Sequence, residues 1–126
     1  MLDLAEVAAE VRRLSELIDQ ALEALRRYGR DSATSERDYR KLKSDAWVTT
    51  PHERDGKKLI AAEREAIVNA ETADIRYARD LAVDLRQAAL ESVRSRRAQL
   101  SALQSLLGAE RAEIELARTA PREHSY

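Results

Sequence analysis

Between Pro51 and Pro121 the chain carries no proline, and Gly108 is the only glycine after Gly56. From about Lys57 to Arg118, therefore, nothing stops a helix, because proline and glycine are the residues that break one. Before Pro51 the apolar residues keep a period. Leu4, Val7, Val11, Leu14, Ile18, Ala21, Leu25 and Tyr28 follow alternating steps of three and four, and the rhythm continues through Ser32, Ser35, Tyr39, Leu42 and Ala46. Such spacing places one stripe on one helix face. The spacing therefore predicts a first helix over about residues 3–47, with Gly29 as its weak point.

Residues 48–57 are expected to form the turn. Thr50, Pro51 and Glu53 read as a helix start, with a capping hydroxyl, a proline at the first position and a glutamate reaching back. A second helix is expected from about residue 57 to 118. Its apolar face is read as Ile60, Ile67, Leu81, Leu85, Ala89, Val93, Leu100, Leu103, Leu107 and Ile114, with a slip of phase between Leu85 and Val93. The fold class is all-α: an antiparallel helical hairpin of two long helices, coiled-coil-like, in a single domain over residues 1–120. Residues 121–126 are expected to be a disordered tail.

Composition makes self-association part of the expectation. Phenylalanine is absent, Trp47 is the only tryptophan, and 36% of residues are charged. A chain with few large side chains has little core of its own to bury. The longer second helix should overhang the first, leaving Val93, Leu100, Leu103, Leu107 and Ile114 to bury against further copies in a homo-oligomeric bundle or ring.

Catalytic chemistry is not legible. Cysteine is absent, and His52 and His124 are the only histidines, so no zinc-type ligand set exists. No glycine-rich phosphate loop or activated-serine motif occurs. No metal, cofactor or enzymatic activity is expected. The N-terminus lacks a signal peptide's basic start and apolar core, and no stretch approaches the ~20 apolar residues that span a bilayer. A soluble, cytoplasmic protein without membrane contact is the expectation.

Charge is distributed unevenly although the net charge is −1. Residues 1–25 have a local balance of −4 and residues 26–43 one of +4. Arg37, Arg40, Lys41 and Lys43 precede the turn, and Lys57 and Lys58 follow it, near Tyr39 and Trp47. Cations interleaved with rings suit single-stranded nucleic acid, where phosphates meet the cations and bases stack on the rings. The same residues also read as a solvated helix face, and Tyr39 falls on the core seam. By charge alone, helix–helix interaction stands ahead of nucleic-acid binding.

Two stretches carry a family resemblance. Glu63 to Leu85 reads EREAIVNAETADIRYARDLAVDL, and Ser92 to Leu107 reads SVRSRRAQLSALQSLL. Their layout resembles the UvsY-type recombination mediators of phage recombination modules. Val93, Arg94, Ser95, Arg96, Leu100, Leu103 and Gln104 occupy positions of the family's late second-helix pattern. The likeness spans about Ile18 to Leu107, and this chain departs from it in an acidic N-terminal segment and fewer aromatics. The resemblance implies a non-enzymatic mediator that binds single-stranded DNA, assembles as a ring-like homo-oligomer and helps load a recombinase onto DNA held by a single-strand-binding protein. By the same likeness Arg37, Arg40, Lys41 and Lys43 would contact DNA, and Val93 to Leu107 would hold copies together. The alternative is a coiled-coil assembly or scaffold protein with no nucleic-acid role, and a small helical inhibitor protein is a third class.

Overall fold

The computed structural model describes residues 3–120. The expected disordered tail, with His124, lies outside the described residues. The elements in chain order are α1 (Leu4–Thr49), β1 (Glu53–Arg54), β2 (Lys57–Lys58), α2 (Ala61–Glu71) and α3 (Ala73–Thr119). The fold is mostly helical, with α1 packed against α3.

The start of α1 is capped by Asp3, whose Oδ1 accepts the backbone N–H groups of Ala5 and Glu6 at 3.0 and 3.3 Å. That is the ordinary service of an aspartate to orphan helix donors. The helix runs through Gly29 without a break. At its far end the Thr50 hydroxyl and backbone N–H both donate to the Ala46 carbonyl. Thr50 thus closes α1 rather than opening the next helix, a correction to the expected Thr-Pro-x-Glu start. Pro51 explains the stop, because it pushes the residue before it out of the helical region.

A β-hairpin takes the place of the expected capped turn. Glu53 pairs with Lys58 and Arg54 with Lys57, and Leu59 N–H donates to the His52 carbonyl at 2.7 Å. Asp55 and Gly56 form the tip with φ of 54° and 77°. Two successive left-handed residues match the twist of a two-residue hairpin, and Asp-Gly is a favoured pair for it. The helix then begins at Ala61, where Glu63 accepts the Ile60 N–H at 3.5 Å.

The expected single second helix is two helices meeting at Thr72. The Thr72 hydroxyl and N–H both donate to the Val68 carbonyl, at 2.8 and 3.0 Å. A threonine bonded back to the preceding turn bends a helix. The bend is local, since Arg76 N–H again reaches the Thr72 carbonyl at 2.9 Å.

The chain divides into two compact units, Met1–Leu22 with Glu91–Tyr126, and Glu23–Leu90. In the first, the buried side chains are Val7, Leu14, Ile18 and Val93. In the second they are Tyr39, Ala46, Val68, Ala82 and Ala89, together with Thr50 and Thr72. Within this second unit α1 runs antiparallel to α2 and α3. Gly29 faces Arg86, Glu36 faces Arg79 and Trp47 faces Arg64, so partner numbers fall as α1 advances.

The seam of α1 is the one expected, with only Leu4 and Leu42 exposed among its positions. The seam of α3 differs. It runs Ile75, Arg79, Ala82, Arg86, Ala89, Val93, Arg96, Leu100, Leu103, Leu107 and Glu110, in unbroken steps of four and three. All of these are buried or half-buried except Arg86. Hence the expected slip between Leu85 and Val93 is absent. Leu81 and Leu85 lie off the seam, 45% and 39% exposed, while arginines occupy core-facing positions.

Candidate nucleic-acid interface

Helical spacing assembles the basic surface. Arg26, Arg30, Arg37 and Lys41 are separated by four, seven and four residues, which puts them on one face of α1. All four are exposed, opposite the seam defined by Tyr39 and Ala46. Arg26 Nη1 lies 3.6 Å from Glu23, Arg37 donates to Asp38 at 3.3 Å, and Arg40 Nε donates to Glu36 at 2.8 Å. These are pairs on the helix's own surface, which hold a guanidinium only weakly. Lys41 is exposed and Lys43 is half-buried.

Lys57 and Lys58 are exposed on β2, in the same unit. Glu53 opposite Lys58 is a favourable cross-strand pair, whereas Arg54 opposite Lys57 sets two cations face to face. Like charges directly opposite cost stability. An anion bound there would relieve that cost.

The rings do not serve as expected. Tyr39 is buried, with the Arg79 guanidinium 4.2 Å and Lys43 Nζ 5.6 Å from its centroid. Trp47 is half-buried under the Arg64 guanidinium at 5.5 Å, and Arg64 Nη2 donates to the Trp47 carbonyl at 3.3 Å. Tyr39 is thus a core ring, and Trp47 is a partly exposed ring with a cation of its own chain over it. Among the described residues the well-exposed ring is Tyr77, at 70%.

Arg79 is the best-connected side chain of the seam. It covers Tyr39, donates to Asp80 at 2.9 Å and lies 3.7 Å from Glu36. The hydrogen bond to Asp80 is the main reason its pKa stands above the ordinary guanidinium value.

The residues expected to join copies are scattered by burial. Val93 is 2% exposed and packs within its own unit, so it is core and not a surface for a partner. Leu100, Leu103 and Leu107 are half-buried, and Ile114 is exposed. Burial on α3 ends at Glu110, and residues 111–120 are exposed throughout.

One feature escaped the sequence reading. In Glu23–Leu90 a groove of about 360 Å³ is lined by Tyr28, Asp31, Ser35, Ala78, Leu81 and Leu85, among others. The signal is the three-then-four spacing of Ala78, Leu81 and Leu85; the expected core face includes Leu81 and Leu85 and leaves Ala78 out.

His52 is exposed and pairs through its backbone carbonyl. Among the described residues no group of three or more histidines, cysteines or carboxylates is placed to hold a metal ion, and no helix is long and apolar enough to cross a membrane. No family model, curated protein or solved structure matches this chain.

Proposed function

We propose that this chain is a non-enzymatic, single-stranded-DNA-binding accessory protein of the recombination-mediator type, helping to load a recombinase onto DNA. The observation that carries the reading is the exposed row Arg26, Arg30, Arg37 and Lys41 on the outer face of α1. Lys57, Lys58 and the facing Arg54 on the hairpin add to it. Cations held in a line suit a phosphate backbone, whose contacts release counterions and need no base-reading shape. The preference for single strands, the recombinase and the single-strand-binding protein come from the family resemblance. A UvsY-like identity belongs to the same proposal, as do a host-cytoplasmic setting and homo-oligomeric assembly.

The second reading, an assembly or scaffold protein without nucleic-acid binding, is favoured by one observation. Tyr39 is buried beneath Arg79 and Trp47 is half-buried beneath Arg64, which leaves the basic face little of the stacking surface common in single-strand binders.

Fluorescence anisotropy with single-stranded and duplex DNA of equal length separates the two. The mediator reading expects tighter single-strand binding, weakening with salt at a log–log slope of about −0.7 per phosphate contact. Reversing Arg37, Arg40 and Lys41 to glutamate should abolish binding while circular dichroism stays helical. Absence of binding to either form at low salt removes the mediator reading in favour of the scaffold.

A further inference from the structure

The hairpin between α1 and α2 carries one cross-strand pair that favours it and one that opposes it. Glu53 lies opposite Lys58, an attractive pair, and one step nearer the tip Arg54 lies opposite Lys57. Successive residues of a strand point to opposite faces, so the two pairs occupy different sides of the hairpin. One side holds an acid and a base, and the other holds two bases whose Cβ atoms stand about 5 Å apart. All four residues are exposed. Among the described residues neither Arg54 nor Lys57 takes part in an ion pair.

An isolated two-stranded hairpin is marginal even without an opposing pair. Turn chemistry accounts for the acid at the tip, where Asp55 and Gly56 adopt φ of 54° and 77°, the left-handed pair such a turn requires. It does not account for the two cations, since lysine is depleted in strands and like charges directly opposite destabilise. Charge on exposed edges discourages pairing with other strands, but Glu53 and Lys58 already supply it. A local rule broken without structural compensation is where a functional position is expected.

We propose that the Arg54–Lys57 side of the hairpin is a clamp for one phosphate group, a phosphodiester of the bound strand. The inference rests on the DNA reading above and narrows its hairpin part: Arg54 and Lys57 make the contact, and Lys58, offset by Glu53, is the lesser contributor. A guanidinium presents parallel N–H groups to the phosphate oxygens, and the ammonium opposite supplies a point charge. The phosphate turns a repulsive pair into a bridged one, so binding also steadies the hairpin. Such a contact positions the strand and reads no base.

Two charge reversals, adjacent in sequence, separate the two sides. Lys57→Glu removes half the clamp and sets an acid against Arg54, whereas Lys58→Glu spares the clamp and sets two acids against each other. With a single-stranded oligonucleotide at low salt, Lys57→Glu should weaken binding about tenfold, the worth of one charge-assisted contact. Lys58→Glu should weaken it only about threefold, through long-range charge. Without DNA the effects on the hairpin have opposite signs. Protection of the Leu59 amide, which donates to the His52 carbonyl, against hydrogen exchange should rise in Lys57→Glu and fall in Lys58→Glu. Equal losses of affinity, or protection that falls in Lys57→Glu, overturn the proposal. A protein that binds neither strand form removes the DNA reading by itself, and inorganic phosphate then decides the clamp. With nitrogen-15 at the three glycines, phosphate at constant ionic strength should move the Gly56 amide signal and not those of Gly29 and Gly108. Movement that Lys57→Glu abolishes upholds the anion site. A static Gly56 signal, or movement that survives Lys57→Glu, overturns it.

Discussion

In the unit of Met1–Leu22 with Glu91–Tyr126, the buried seam residues are Val7, Leu14, Ile18 and Val93, and Leu100, Leu103 and Leu107 are half-buried further along α3. In Glu23–Leu90 the corresponding positions carry Tyr39, Ala46, Val68, Ala82 and Ala89, interleaved with Ser32, Ser35, Thr72 and Arg79. Both regions keep the seven-residue period. The first fills it mainly with branched aliphatic side chains, Arg96 and Glu110 excepted, and the second mixes small, hydroxylated and cationic side chains with Leu25, Tyr28, Tyr39, Val68 and Ile75. A period fixes which residues face inward, and the residue types at those positions fix how much inward facing stabilises. The second region also turns Leu81 and Leu85 outward, where they form a surface and not a core.

The sharpest way to break this comparison is to remove a core side chain from the apolar region. Leu14 is 1% exposed. Leu14→Ala should cost about 3 kcal/mol, the transfer term of the lost carbons plus a cavity the neighbours cannot close. Urea unfolding followed by helicity measures it. A loss below about 1 kcal/mol would mean that the aliphatic seam is no better packed than the polar one, and the contrast would collapse.

A smaller effect compares one glycine from each region. Alanine at a helix-interior glycine gains about 1 kcal/mol where nothing opposes the added methyl. A Cβ at Gly108 would meet nothing within 4 Å, and one at Gly29 would lie 3.9 Å from Arg86 Nε, an ordinary contact. Both Gly108→Ala and Gly29→Ala should therefore raise the melting midpoint, Gly108→Ala the more, since the methyl at Gly29 takes some water from a guanidinium. Destabilisation by Gly29→Ala would show that Arg86 needs that space and that the polar seam is tightly fitted.

These contrasts explain which parts of the molecule were legible in the sequence. The α1 seam was readable because its apolar residues coincide with its inward positions as far as Tyr28, and phase carried the reading through Ser32 and Ser35. On α3 an apolar residue was taken as an inward one. That rule failed where Arg79 and Arg86 face α1 and Leu81 and Leu85 do not, and it produced a slip that the helix does not have. The hairpin was missed because Thr50 and Pro51 fit a helix start, while the stronger local signal was Asp55-Gly56, the pair suited to two left-handed residues. The basic stretch of α1 was legible from its charge balance, but not which of its cations share one exposed face, since Lys43 is half-buried and Arg26 and Arg30 join Arg37 and Lys41 there. The engagement of Tyr39 and Trp47 was not, since Arg79 and Arg64 are remote in sequence and meet them only through the antiparallel register.

The smallest effect asks what an arginine contributes at a seam position. Arg79 covers the Tyr39 ring and touches Asp80 and Glu36, with its side chain 24% exposed. A cation over a ring at a partly exposed site is worth about 0.5–1 kcal/mol, and surface ion pairs about as little. Against this stands the cost of drawing a guanidinium partly out of water, which an apolar side chain of similar length does not incur. Arg79→Met keeps the unbranched stem on Tyr39 and removes the charge, so the two contributions nearly cancel. The expected change in unfolding free energy is under about 1 kcal/mol in either direction, and moderate salt should shift the unmodified protein by as little. Arg79→Ala, which loses the stem as well, should be the worse of the two. If Arg79→Met instead cost as much as Leu14→Ala, the ion contacts would rival an aliphatic core, and the second region could no longer be called the weaker seam.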